Sequence, residues 1–188
     1  MAIPVTPDNF ARAESHLYFG NAVKEGGFGK LTHRREPASV DNQIVIRLNR
    51  DTLYSSGVFD LDAGPVTIAL PDAGKRFMSL MIVNEDHYVQ AVHYGAGVRT
   101  IDKDVVGTRY FIAAVRTFVD PNDPRDVQTV HALQDAIELD QRGGPGKFTT
   151  PDWDQISQKK IRDALLELAS TTRGFDRAFG KKGEVDPV

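Results

Sequence analysis

The chain has 188 residues, a net charge of −3 at neutral pH, 40% hydrophobic residues and no cysteine. This length and composition are typical of a globular protein with a substantial core. The slight acidic excess argues against nucleic acid or an acidic membrane surface as a partner, and the lack of cysteine excludes disulfides and thiolate chemistry. No stretch approaches the roughly 18–20 continuous apolar residues of a membrane helix, and no secretory signal precedes the first element. We therefore expect a cytoplasmic protein that forms a single domain over residues 1–188.

The first predicted element is a helix over residues 7–24. Thr6-Pro7-Asp8 combines a capping hydroxyl with a proline at the first helical position, followed by an acidic residue that suits the positive end of the helix dipole. Phe10, Ala13 and Leu17 then recur at helical spacing. The pattern indicates an amphipathic helix ahead of the main fold.

The middle of the chain, residues 43–119, predicts a β core. Turn residues at 62–65 and 72–75 join runs that are close in sequence, which favours antiparallel pairs. Many short strands at this spacing are typical of a sandwich rather than of a parallel α/β sheet. The alternating runs lie at about 43–48, 53–61, 65–70, 76–83, 87–94, 98–101 and 109–119.

Two helices are predicted after the β core, over residues 124–139 and 151–172, each opened by a capping residue and a proline. A glycine-rich loop at 141–149 separates them, and a tail covers 173–188. We therefore predict a mainly β (α+β) fold: an antiparallel β-sandwich or jelly-roll-like core with one N-terminal and two C-terminal helices.

Three sequence strings resemble a known family. They are Asn49-Arg50-Asp51-Thr52-Leu53-Tyr54-Ser55, Phe59-Asp60-Leu61 and Asn84-Glu85-Asp86-His87-Tyr88. The chain resembles the domain of unknown function 1254 family in these strings. That resemblance implies a β-sandwich domain. In longer relatives a second sandwich domain follows it, and the family has no settled catalytic mechanism.

The run at residues 49–56 is the candidate ligand site, because it places charges, an amide and hydroxyls between two predicted strands. Arg50 would clamp a carboxylate or phosphate, and Asp51 would act as an acceptor or general base. Asn49 and Tyr54 would bind and orient the ligand. Strand alternation places Tyr54 on the same face as Thr52 and Ser56.

A structural role for the same run is the alternative. Asp51 would then form an Asx turn or pair with Arg50 to lock a strand corner. Arg47 and Arg50 would tie the sheet to the first helix through Glu14. The two interpretations differ in whether these charges face open space or neutralise one another.

His87 is the second candidate catalytic residue, as a proton-transfer group. A metal site is not predicted. If 87–94 is one strand, His87 and His93 share a face but lie roughly 20 Å apart, too far for one ion. We expect no cofactor.

Two functions follow from these residues. The first is the binding or hydrolysis of a small polar or anionic metabolite at residues 49–56, with no cofactor. The second is a non-catalytic interaction module that docks a second sandwich domain or another subunit, including a second copy, through the third helix and the tail. The sequence leaves both open, and it does not decide whether the protein is an enzyme.

Overall fold

The computed structural model describes residues 1–39, 49–171 and 180–184. The strand predicted over 43–48 lies outside the described residues, together with Arg47 and most of the tail. The structural alternative that tied Arg47 to Glu14 falls outside them for the same reason.

Helices flank and interrupt a strand-rich middle in the described part of the chain. The helices are α1 (Phe10–Lys24), α2 (Lys103–Val106), α3 (Pro124–Asp135) and α4 (Gln155–Ala169). The strands are β1 (Thr32–His33), β2 (Thr52–Asp60), β3 (Val66–Leu70), β4 (Met78–Asn84), β5 (Val89–Tyr94), β6 (Gly97–Ile101), β7 (Tyr110–Phe118) and β8 (Glu138–Asp140).

The strands form two antiparallel sheets with a core between them. One sheet has the order β1-β2-β7-β4-β5 and the other β6-β3-β8. Phe59, Leu80 and Phe111 of the larger sheet pack in one cluster with Val66 and Ile68 of the smaller sheet, and all five are fully buried. Burial of this much apolar surface is the main stabilising contribution to such a sandwich. The predicted β-sandwich is confirmed.

The register of β2 against β7 fixes which side chains share a face. The pairing runs from Thr52 opposite Phe118 to Asp60 opposite Tyr110. Because side chains alternate along a strand, the odd-numbered residues of β2 face the core and Tyr54 lies on the outer face. At the Asp60 end this outer face is covered by α1, whose Phe19 packs on Val58.

Two helix boundaries differ from the prediction. The predicted second helix ends at Asp135 rather than at 139, because β8 pairs with β3 instead of continuing the helix. The predicted third helix begins at Gln155 rather than at 151. Its cap is Asp154, which accepts from the backbone N–H groups of Ile156 and Ser157.

The first helix also starts later than predicted, at Phe10, after a turn over residues 7–9. The Asn9 side chain accepts from the Thr6 N–H instead of capping the helix. By contrast, α3 begins at Pro124 with Asp123 as its cap, as the sequence pattern predicts.

The glycine-rich loop at 141–149 is strapped against the end of β2. A side chain at Gly143 would collide with the Ala63 carbonyl, and one at Gly146 would meet Asp60 Oδ2 at 2.5 Å. Gln141 Nε2 donates to the carbonyls of Asp60, at 2.8 Å, and Gly64, at 3.2 Å. The loop is therefore a packed element of the fold.

Candidate functional site

The predicted corner is a tight turn into β2. Asn49 Oδ1 accepts from the Asp51 N–H at 3.2 Å, which makes an Asx turn, and the Val119 N–H donates to the Asp51 carbonyl at 2.8 Å. An Asx turn is what the structural alternative required, with Asn49 rather than Asp51 as its acceptor. The turn sets the direction of the strand that carries Tyr54.

The charges at this corner face solvent. Arg50 and Asp51 are both exposed, and no hydrogen bond or ion pair joins them within the described ranges. Glu14 pairs instead with Arg162 and accepts from Gln158 Nε2 at 2.6 Å. The predicted lock between Arg50 and Asp51, and the predicted link from Arg50 to Glu14, are therefore wrong.

Tyr54 has an unforeseen neighbour, Arg116, directly across from it on β7. The Arg116 guanidinium carbon lies 5.8 Å from the centre of the Tyr54 ring and 5.9 Å from that of Phe77. Ser79 of β4 flanks Arg116 on the other side, with Tyr94 of β5 beyond it. We call these five residues the Arg116 face.

Arg116 is a half-buried arginine that makes no hydrogen bond or ion pair with any described residue. Its Nε is buried and makes no hydrogen bond, and no carboxylate pairs with the side chain in the part of the chain that the structure describes. A buried donor without a partner costs about 1–3 kcal/mol, so such groups need an explanation. The aromatic rings around it stabilise the cation in part.

His87 lies at the other end of the sheet from this corner. It is exposed in the turn between β4 and β5, with φ +67, and the Asn84 side chain holds that turn by accepting from the N–H groups of Asp86 and Tyr88. The strand register places Thr52 and Asn84 at opposite ends of β7, roughly 25 Å apart along the strand. A single site containing both Asp51 and His87 is therefore wrong, as is the strand that was predicted to carry His87 and His93 on one face.

Ser55 and His33 form a pair that the sequence did not reveal. Their Oγ and Nδ1 atoms lie 2.8 Å apart, and Gln134 Nε2 donates to the same Oγ at 3.3 Å. Burial lowers the pKa of His33, and the nearby Arg35 lowers it further against the opposing charge of Asp135. Only 1% of Ser55 is exposed, so this serine is closed to substrates and the pair fastens β1 and α3 to β2.

Asp60, at the far end of β2, is a saturated carboxylate. It accepts from Arg109 Nε at 2.9 Å, Arg109 Nη2 at 2.8 Å, and the backbone N–H groups of Asp62 and Lys147 at 3.0 and 3.1 Å. Burial alone would raise the pKa of Asp60, but these hydrogen bonds outweigh it and hold the pKa below its usual value. The group stabilises the fold and has no capacity left for a ligand.

Glu85 is a second saturated carboxylate at that end. Its oxygens accept from His16 Nε2 at 2.7 Å and from the Tyr110 N–H at 2.9 Å, while His16 Nδ1 accepts from Trp153 Nε1 at 3.0 Å. Burial opposes ionisation, yet these contacts and the nearby Arg12 keep the pKa of Glu85 below its usual value. Both nitrogens of His16 are occupied, so this pair is a clamp between α1 and the turn after β4.

Neither a metal-binding cluster nor a membrane-spanning helix is present among the described residues. No group of three or more histidine, aspartate or glutamate side chains within 1–39, 49–171 and 180–184 is placed to hold a metal ion. Over the same ranges, none of the helices has the length and apolar character needed to cross a bilayer.

The fold and the site together define an antiparallel β-sandwich with a cation among aromatic rings on one outer face. The resemblance to the DUF1254 family is confirmed. The model of that family, which is described as 'protein of unknown function (DUF1254)', matches residues 28–103. The matched segment contains the corner, Tyr54 and the turn that carries His87.

The crystal structure of the VPA0106 protein from Vibrio parahaemolyticus is similar to this chain, with a TM-score of 0.65 at 16% sequence identity. The match covers 94% of this chain and 61% of that one, so the chain spans about three fifths of the length of this solved relative. At this identity the likeness shows the fold alone. No curated protein matches the chain significantly.

Proposed function

We propose that the protein binds a small anionic ligand, a carboxylate or a phosphate, at the Arg116 face. The observation that carries this proposal is the guanidinium of Arg116, whose Nε is buried without a hydrogen bond between the rings of Tyr54 and Phe77. A planar guanidinium binds carboxylates and phosphates through two parallel hydrogen bonds. Arg116 as a whole is only half-buried, and none of its nitrogens bonds to a described residue, so an anion would pair with the part of the guanidinium that remains open to solvent.

The charge of Arg50 at the predicted corner contributes to ligand binding only through long-range electrostatic attraction. Arg50 lies four residues before Tyr54, about 13 Å along an extended strand, so it adds long-range attraction to an anion rather than a second clamp. Tyr54 keeps its predicted role of orienting the ligand. Asn49 shapes the turn, and Asp51 stands as an acceptor at its edge.

The proposal is binding rather than hydrolysis. The candidate catalytic residues Asp51 and His87 lie at opposite ends of the sheet, and Ser55, which is hydrogen-bonded to His33, is buried. Acyl or phosphoryl transfer needs a nucleophile and base that reach one bound substrate. The Arg116 face holds a cation and rings, which suit recognition.

Thermal shift and calorimetry with sodium benzoate and inorganic phosphate test this proposal. We expect at least one of these anions to raise the melting temperature of the wild type, and Arg116→Met to abolish that rise. Arg142→Met is the matched control, because Arg142 is 95% exposed on the far loop and should leave the shift intact. Anion shifts that are absent in the wild type, or equal in both variants, would reject the site. Benzylamine, the charge-reversed probe, should give no shift.

A docking surface is the second candidate function, favoured by exposed apolar side chains on the same outer face. Phe77, Val92, Tyr94 and Phe118 are each more than two fifths exposed. Patches of this kind mark interaction sites in many proteins. Light scattering over a concentration series tests it: an oligomer that Val92→Glu converts to a monomer supports docking of a second copy, and a wild type that stays monomeric rejects it.

A further inference from the structure

A groove of about 350 Å³ lies between α1 and the segment that leads into α4, away from the Arg116 face. One wall is the α1 face that carries His16, Leu17, Gly20 and Lys24. Phe148, Pro151 and Trp153 line the opposite wall. The volume lies within the range of small-molecule sites.

Gly20 is the feature of this groove that the fold does not explain. Glycine is the least favourable residue in a helix interior after proline. Gly20 is not among the glycines of positive φ, and a side chain there would meet only Phe148 Cε1, at an ordinary 3.9 Å. Neither backbone conformation nor crowding requires glycine, and its effect is to leave the space between α1 and Phe148 open.

Two polar side chains in the lining of the groove, Trp153 and Gln158, already donate hydrogen bonds to residues of α1. Trp153 Nε1 donates to His16 Nδ1 at 3.0 Å, and Gln158 Nε2 donates to Glu14 at 2.6 Å. Between these satisfied groups a ligand meets the rings of Phe148 and Trp153 and the open space over Gly20, while the polar side chains of Thr150 and Gln155 lie elsewhere in the lining. That environment selects an apolar body, since burying a polar one without partners is costly.

The two ends of the groove carry charges of opposite sign. His16, Gly20 and Lys24 follow one another at intervals of four residues, so each step is about 6 Å along α1. Lys24 is exposed and makes no ion pair with any described residue. Asp152, the acidic residue of the lining, precedes Trp153 and so belongs to the His16 end. Lys24 thus lies at one end of the groove, and the carboxylate of Asp152 lies at the other end, about 12 Å away.

We propose that this groove binds a small amphipathic monocarboxylate, with its apolar body over Gly20 and its carboxylate paired with Lys24. The site is independent of the Arg116 face. It makes a class of straight-chain or arylalkyl acids a second ligand of the protein.

Titration calorimetry with sodium octanoate is the test. Gly20→Leu fills the groove and should weaken octanoate binding about tenfold, the size expected when an apolar pocket loses its space. Gly20→Ala is the matched control: it should bind octanoate within about threefold of wild type while raising the melting temperature by about 2–4 °C through better helix propensity. Equal affinities of the wild type and Gly20→Leu overturn the proposal.

The charge assignment is tested on surface residues that leave folding intact. Lys24→Gln should weaken octanoate about threefold, as expected for an exposed ion pair, and should leave the neutral probe 1-octanol unaffected. Repeating the octanoate titrations in the Arg116→Met background removes any carboxylate that binds at the Arg116 face. Octanoate binding that persists in this background, and that Gly20→Leu weakens, belongs to the groove. The assignment of a carboxylate to the ligand is overturned if the protein prefers octylammonium to octanoate, or if Lys24→Gln leaves the octanoate affinity unchanged.

Discussion

The two ends of the five-stranded sheet treat their charged side chains in opposite ways. At the end where β2 finishes, Asp60 and Glu85 are buried and each carboxylate is surrounded by donors. At the end where β2 starts, Arg116 has a buried nitrogen without an acceptor, beside exposed aromatic rings. Both ends belong to the same strands and are equally part of the core scaffold.

We interpret this difference as one between polar groups that stabilise the fold and a cation that is available to a ligand. A buried charge whose hydrogen bonds are complete stabilises the fold and offers nothing to a ligand. A charge left incomplete by its neighbours lowers stability, and departures of this kind concentrate at binding sites. The contrast therefore predicts that substitutions of charged residues lower the free energy of unfolding strongly at the Asp60 end of the sheet and weakly at the Arg116 end.

The largest effect is expected for Asp60→Asn. The amide cannot accept from Arg109 and two backbone N–H groups as the carboxylate does, and it leaves Arg109 with only the half-exposed Asp62 as a carboxylate partner. We therefore expect a loss of about 3–4 kcal/mol in the free energy of unfolding. Urea denaturation measures it. Asp62→Asn is the control: Asp62 is 44% exposed, and its loss should stay below about 1 kcal/mol. Equal losses in the two variants would contradict the special role of Asp60.

Glu85→Gln should cost about 2–3 kcal/mol at neutral pH, because the amide can accept from only one of His16 and the Tyr110 N–H and turns its NH2 group toward the other. The folded pKa of Glu85 lies below its ordinary 4.5, so the carboxylate contributes fully above that pH and its contribution is lost as pH falls through the folded pKa. The stability difference between wild type and variant should therefore shrink between about pH 6 and about pH 3. Chemical denaturation at several pH values checks this, and a constant difference would refute it.

Arg116→Met should leave the free energy of unfolding within about 0.5 kcal/mol of wild type, because the side chain that it replaces has an unsatisfied buried donor. Arg109→Met is the matched comparison. It removes two hydrogen bonds from buried Asp60 and should cost about 2 kcal/mol. If Arg116→Met proves the more damaging of the two, Arg116 is a structural residue and the binding proposal fails.

The smallest effect is expected for Arg50→Ala. The side chain is exposed and has no ion pair with any other described residue, so the change should be within about 0.3 kcal/mol. Thermal unfolding of the variant is sufficient to measure it. A loss above about 1 kcal/mol would restore the structural role that the sequence offered for this corner.

The strands were predictable because their signal is local. The alternation in β7 and the turn residues around β3 place those strands within a residue or two of where the structure has them. The end of α3 was not predictable, because Glu138–Asp140 becomes a strand only through pairing with β3, some 70 residues earlier. Helical spacing continues across that point, and nothing local shows that a distant strand competes for the backbone.

The candidate site was predictable only in part, for the same reason. Strand alternation placed Tyr54 on the outer face, but the cation beside it depends on the register that sets Tyr54 opposite Arg116. Arg50 is nearer to Tyr54 in sequence, so the local pattern favours it as the clamp. The alternation of neighbouring residues predicts that His87 lies in a strand, whereas the Asn84 side chain folds that stretch into a turn.

The strapped loop at 141–149 has a consequence for anyone who modifies this protein. Its glycines suggest a loose linker, yet Gly143 sits against the Ala63 carbonyl and Gly146 against Asp60. A reporter peptide inserted in this loop would disrupt its contacts with the edge of the sandwich. The turn at Gly74, which connects β3 of one sheet to β4 of the other, has nothing within 4 Å of an added side chain and is the better point for such grafts.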